Sequence, residues 1–137
     1  MTINDRRELQ RMLANARVIA VVGHSDRPQR TSYSIGRYLR DAGYRVYAVN
    51  PTISEVDGEK AYPTLAEVPE PIDIVNVFRR SEFLDEVVDQ AIALGAKGIW
   101  AQLGVYDEAA AKKAEVAGLD MVMDRCIMVD HRALVGT

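Results

Sequence analysis

The run Val18-Ile19-Ala20-Val21-Val22, five apolar residues broken at once by Gly23 and followed by His24-Ser25-Asp26-Arg27-Pro28, constrains the fold of this chain more than any other stretch. An apolar run with no alternation fits a strand covered on both faces, the environment of a parallel sheet between two helix layers. Glycine at its end lets backbone N–H groups approach an anion closely, so the strand reads as one that delivers a phosphate-binding loop.

The remaining periodicity agrees with that reading. Ahead of the strand, Leu9, Met12, Leu13 and Ala16 stand at helical spacing, with Asn4 or Asp5 as cap. Behind the loop, Ile35, Tyr38, Leu39 and Ala42 share one helical face that ends at Gly43. Arg45 to Val49 reads as a second strand, stopped at Asn50-Pro51. Ile72 to Phe78 reads as a third, followed by a helix carrying Leu84, Val87, Val88, Ala91 and Ile92, capped by Ser81 and closed near Gly95. Gly98 to Leu103 is a fourth strand, Asp107 to Ala117 an alanine-rich helix ended by Gly118, and Leu119 to Met123 a fifth strand. Alternating strands and helices predict an α/β architecture: a doubly wound, mainly parallel five-stranded sheet with helices on both faces.

With 137 residues and no linker-like stretch, the expectation is one domain over residues 1–137. The net charge of −3 and scattered basic residues do not support a nucleic-acid or anionic-membrane surface. No apolar run approaches the roughly 18 residues of a membrane-spanning helix. The single Cys126 has no intramolecular disulfide partner, and the start of the chain leads into a charged amphipathic segment instead of a secretory signal, so a reducing cytoplasm is expected. The N-terminal helix and the tail from Met128 to Val135 have apolar side chains to bury, either inside the subunit or across a homodimer interface.

In doubly wound sheets ligands bind beyond the carboxyl ends of the strands, where the strand order reverses. The candidates are therefore residues 23–32, Asn50-Pro51, Phe78-Arg79-Arg80, Gln102-Leu103-Gly104 and Asp124-Arg125-Cys126. The first group holds the densest set of anion-binding types, Gly23, Ser25, Arg27, Arg30, Thr31 and Ser32, ahead of a helix N-terminus that favours negative charge. A phosphate or diphosphate is the guest this implies; the plainer alternative is a solvated turn in which Thr31 or Ser32 only caps the helix. The dinucleotide pattern Gly-x-Gly-x-x-Gly is absent, and Asn50 stands where an NAD site places an acid for the ribose hydroxyls. A Walker-type loop is also missing, since no Gly-Lys-Ser or Gly-Lys-Thr triplet occurs.

Three stretches together resemble the CoA-binding protein family, the stand-alone relative of the CoA-binding domain of the succinyl-CoA synthetase alpha subunit. They are Val22-Gly23-His24-Ser25 with Pro28, Gly43-Tyr44-Arg45-Val46-Tyr47 leading to Val49-Asn50-Pro51, and Asp124-Arg125-Cys126. The likeness runs from about Val18 to His131. It implies a Rossmann-like fold and coenzyme A or an acyl-CoA as ligand. Gly23, Ser25, Arg30, Thr31 and Ser32 then map to the phosphate loop, Asn50 and Pro51 to the nucleotide edge, and Phe78, Arg79 and Arg80 to the neighbouring wall. His24 stands where the resemblance expects a small residue, and is counted with the loop as an added donor that also crowds it. The 3′-phosphate of CoA wants cations where NAD wants a carboxylate, and adjacent Arg79 and Arg80 point apart on an extended segment, so one of the two faces the ligand.

The resemblance brings no catalysis with it. The synthetase's phosphorylated histidine lies in a second domain, and neither His24 nor His131 sits in a matching context. Glu82, Asp85, Glu86 and Asp89 read as the solvated face of a helix, Trp100 and Tyr106 as core or rim aromatics, and Cys126 as a packed thiol or a reactive one. The leading reading is a non-catalytic CoA or acyl-CoA carrier, sensor or docking module for an acyl-CoA enzyme. Its competitor is a small enzyme or regulator that binds NAD or another adenine nucleotide in the same crevice.

Overall fold

A computed structural model describes residues 2–136. Its elements are α1 (Arg6–Asn15), β1 (Val18–Val22), α2 (Thr31–Asp41), β2 (Arg45–Val49), β3 (Glu55–Val56), β4 (Glu59–Tyr62), β5 (Ile74–Val77), α3 (Leu84–Leu94), β6 (Gly98–Ala101), α4 (Glu108–Val116), β7 (Asp120–Val122) and α5 (Ile127–Leu134). They form one seven-stranded sheet of order β3-β4-β2-β1-β5-β6-β7. All neighbouring strands are parallel except the β3–β4 pair. β1 is buried along its whole length, as its unbroken apolar run requires.

Helices cover both faces of the sheet. On one, Leu9, Leu13, Ile35, Leu39 and Ile127 of α1, α2 and α5 pack over Ile19, Val21, Ile74 and Trp100. On the other, Leu84, Val88, Ala110 and Ala114 of α3 and α4 pack over Ala20, Val75, Val77 and Ile99. In the tail Met128 to Val135, Met128 and Leu134 join the α1–α2 layer and Gln10 Nε2 donates to the Leu134 carbonyl (3.0 Å), whereas Val129 and Val135 are exposed. Among the described residues no helix is long and apolar enough to cross a membrane.

The sheet has seven strands where the periodicity predicts five. The two additional ones are the hairpin β3–β4, turned at Asp57 and Gly58, whose φ of 50° and 85° are those of a type I′ turn. Its strands are two and four residues long and carry the exposed Glu55, Glu59 and Lys60, so no apolar run announces them. Brevity and charge are also what keep an edge strand from pairing with another chain. Asp5 and Asp107 cap α1 and α4 through bonds from Arg7 N (2.8 Å) and Ala110 N (3.1 Å). Ser81, expected to cap α3, instead opens a 3-10 turn before it. Its hydroxyl donates to the Gly104 carbonyl (3.2 Å) and accepts from Tyr106 N (2.8 Å), tying the ends of β5 and β6 together.

Candidate functional site

From β1 the chain winds to β2 on one side and, after the hairpin, returns to β5 on the other. The order therefore reverses between β1 and β5, and the loops leaving these two strands flank a crevice at their carboxyl ends. Gly23 is the point where the two loops meet. Its φ is +87°, its N–H donates to the Val49 carbonyl (2.8 Å), and a Cβ on it would lie closer to the Phe78 carbonyl oxygen than the 3.0 Å that real Cβ atoms keep. Only glycine accepts both the left-handed backbone and the close approach.

Past Gly23 the loop is held from three sides. Ser25 N donates to Ser32 Oγ (2.9 Å), Arg27 N donates to Ser25 Oγ (3.0 Å), and Asn50 Nδ2 donates to the His24 carbonyl (3.0 Å). Asn50 is itself fixed, its Oδ1 accepting from Thr52 N (2.9 Å) and Oγ1 (2.8 Å). No side chain caps α2, which begins after Arg30; Tyr33 N and Ser34 N donate to the Arg30 carbonyl (3.1 and 3.2 Å), so the N–H groups of Thr31 and Ser32 are the ones available to a ligand. These parts line a groove of about 880 Å³, with Gly23, Ser25, Arg30, Thr31, Ser32, Asn50 and Phe78 in its wall beside Arg27. Arg27 and Arg30 are exposed and have no carboxylate partner among the described residues.

Thr31 and Phe78 also border a second hollow of about 610 Å³, lined further by Arg79, Arg80, Gln102, Leu103, Val105 and Cys126. Arg79 lies over the Phe83 ring at 4.2 Å with no carboxylate partner among the described residues, whereas Arg80 is exposed and paired with Glu82 (3.2 Å). Of the two, Arg79 keeps its charge available for an anion. Cys126 is half-buried in this hollow, at the start of α5.

Two expected site residues are placed elsewhere. The His24 side chain is fully buried beneath the loop and is not part of the groove wall. Its Nδ1 donates to the Ser25 carbonyl (2.8 Å), which leaves Nε2 as acceptor for Arg40 Nη1 (3.1 Å), so the ring props the loop from behind. Pro51 sits in an exposed turn outside the groove wall, and Thr52 and Ile53 line the groove in its place. No sequence motif marks those two residues.

Burial lowers the pKa of His24 below its usual 6.5, with Arg40 adding to the effect, and burial also lowers that of His131. His131 sits between Tyr38 and Tyr44, its Nδ1 2.8 Å from Tyr38 Oη. Each ring is easier to protonate in the unfolded chain than in the fold. Their contribution to stability is therefore complete above pH ~6.5 and is lost as pH falls through that value toward the depressed folded-state pKa. Melting temperature is expected to drop between about pH 7.5 and pH 5, above the range in which Asp73 and Glu70, both held low, begin to protonate. A flat profile across that interval would contradict two neutral buried histidines.

A doubly wound parallel sheet with a glycine loop, an open helix N-terminus and a groove at its switch point defines a Rossmann-like α/β domain. The profile of the CoA binding domain matches residues 17–132, and the chain belongs to that family. It is 46% identical over 124 residues to uncharacterized protein YneT of Bacillus subtilis, covering 90% of this chain and 92% of that one. A solved structure of a hypothetical protein from Pyrococcus horikoshii superposes with a TM-score of 0.94 at 38% identity, covering 99% and 97% of the two chains. The alpha subunit of an ADP-forming acetate–CoA ligase from Pyrococcus furiosus is 33% identical over 86 residues, 62% of this chain but only 19% of that subunit.

Proposed function

We propose that this protein binds coenzyme A or an acyl-CoA, with the diphosphate on the loop from Gly23 to Ser32 and the pantetheine arm running toward the hollow lined by Gln102 and Cys126. The observation that carries this reading is the uncapped start of α2, flanked behind a glycine loop by Arg27 and Arg30, which have no carboxylate partner among the described residues. Anions are favoured at such a terminus, and charge-assisted bonds from arginine strengthen the hold. Membership of the CoA binding domain family supplies the ligand class. Arg79 is the cation assigned to the 3′-phosphate or another phosphate oxygen. The role proposed is that of a carrier, a sensor or a docking module for an acyl-CoA enzyme. The acetate–CoA ligase subunit, where the matching segment is a small part of a longer chain, favours the docking role.

Calorimetry with CoA, acetyl-CoA, NAD and ATP tests the proposal. Saturable binding of the CoA compounds is expected, weakening as salt rises because exposed charges are screened within about 10 Å at 0.1 M. Arg30→Ala is expected to weaken CoA binding about tenfold through loss of one charge-assisted contact. Saturable NAD binding with no heat from CoA would instead establish the adenine-nucleotide regulator or enzyme.

A further inference from the structure

The second hollow contains a polar group that the fold holds rigidly and leaves without a partner. Gln102 follows β6 and is only 4% exposed. Its Oε1 accepts from Ile127 N (2.9 Å) and from Asn76 Nδ2 (3.1 Å). A backbone N–H can only donate, so the atom facing Ile127 must be the carbonyl oxygen, which fixes the orientation of the carboxamide. Asn76 is fixed in the same way, since its Nδ2 also donates to the Trp100 carbonyl (3.1 Å). Both acceptor positions of Gln102 are thus used inward. Its Nε2, with two N–H bonds, makes no hydrogen bond to the protein among the described residues and is left to the hollow that Gln102 lines with Phe78, Leu103, Val105 and Cys126.

Nε2 keeps access to this open, mainly apolar hollow, and a ligand that displaces water there without supplying an acceptor leaves the donor unpaired, which favours a ligand that does supply one. The hollow adjoins the phosphate groove across Thr31 and Phe78, so a ligand anchored there by phosphate reaches Gln102 with its far end. We infer that Gln102 is the specificity-determining residue that recognises the thioester carbonyl of a short acyl-CoA, so that the protein distinguishes acylated from free CoA. This rests on the CoA reading above. The Nε2 group donates to the carbonyl oxygen, the apolar side chains take the acyl carbons, and Asn76 with Ile127 N keeps the amide from turning over.

The test compares acetyl-CoA with S-ethyl-CoA, a thioether lacking only the carbonyl oxygen, and uses adenosine 3′,5′-bisphosphate as a ligand without the arm. The wild-type protein is expected to bind acetyl-CoA about tenfold more tightly than S-ethyl-CoA. Gln102→Met should bring the two within about twofold while leaving the bisphosphate affinity unchanged. Gln102→Glu, which keeps an acceptor for Ile127 and Asn76 but no donor, should do the same if the methionine variant does not fold. Equal wild-type affinities for the two thiol derivatives would overturn the inference, and that comparison needs no variant. So would a Gln102→Met protein that loses affinity for free CoA and acetyl-CoA alike, since the donor would then serve a pantetheine amide. Failure of CoA, acetyl-CoA and the bisphosphate all to bind would remove the CoA reading and this inference together, an outcome distinct from binding without discrimination.

Discussion

Trp100→Ala is expected to lower unfolding free energy by about 3–5 kcal/mol, the range for removing a large buried aromatic. Trp100 is fully buried at the centre of β6, packed with Ile19, Ile74, Val122 and Ile127 where α1, α2 and α5 converge on the sheet. Its indole N–H donates to the Arg125 carbonyl (2.9 Å), which holds the turn that leads into α5. Alanine opens a cavity and orphans that carbonyl at the same time, and Arg125, bonded to Asp130 at 2.7 and 2.9 Å, loses the anchor that sets its position. Domains of this kind have about 5–15 kcal/mol to lose, so the variant should be near the edge of folding at 37 °C. Urea unfolding measures the difference. Trp100→Phe separates the two contributions, since it keeps most of the volume and loses the donor, and its loss should be well under half that of alanine. A cost below about 1 kcal/mol for alanine would mean that the layer collapses onto the gap and that Trp100 does not hold the helices on the sheet.

The central strands and the helices were legible because their apolar residues recur at the periods of buried strands and amphipathic helices. The position of the loop after β1 was legible for a similar reason: Gly23, Ser25, Arg30, Thr31 and Ser32 follow the strand at the place where such sheets bind ligands, and all of them line the groove, while the anion they are proposed to hold is left to the binding experiments. What the periodicity did not reveal lies in contacts between distant residues. His24 reads as a loop donor until the buried Gly36 of α2 is set against it: a Cβ at Gly36 would collide with the His24 ring. A mid-helix glycine costs about 1 kcal/mol relative to alanine, and that cost is the signal in the sequence that something packs against α2 there. The β3–β4 hairpin carried its own sign in Asp57-Gly58, but strands of two and four residues, with Glu55, Glu59 and Lys60 among them, have no hydrophobic pattern to find. Asn76 and Gln102 gave a third signal, each a polar residue in or beside an apolar run, and only their pairing across β5 and β6 shows what they do.

Gly23→Ala is expected to weaken CoA binding about a hundredfold and to lower the melting temperature as well. Two costs combine at this position. An L side chain at φ +87° is strained by about 1–2 kcal/mol. The added Cβ also meets the Phe78 carbonyl oxygen, a backbone atom that cannot swing aside as a side chain would. Phe78 N donates to the Val22 carbonyl (2.8 Å) and Gly23 N to the Val49 carbonyl (2.8 Å), so relief requires the ends of β1, β2 and β5 to separate. The loop is the softer part and should move instead, carrying Ser25 away from Ser32 Oγ and displacing the proposed phosphate position at the start of α2. Every 1.4 kcal/mol of binding energy lost is tenfold in affinity, so a displacement that breaks two phosphate contacts gives the hundredfold figure. Gly43→Ala supplies the control. Gly43 has φ +105° but nothing within 4 Å of its Cβ position, so it carries the conformational cost without the collision. Its variant should lose stability by about 1–2 kcal/mol and bind CoA as the wild type does. Comparable CoA affinity in both variants would show that the approach of Phe78 to Gly23 does not set the shape of the loop after β1 for the proposed ligand.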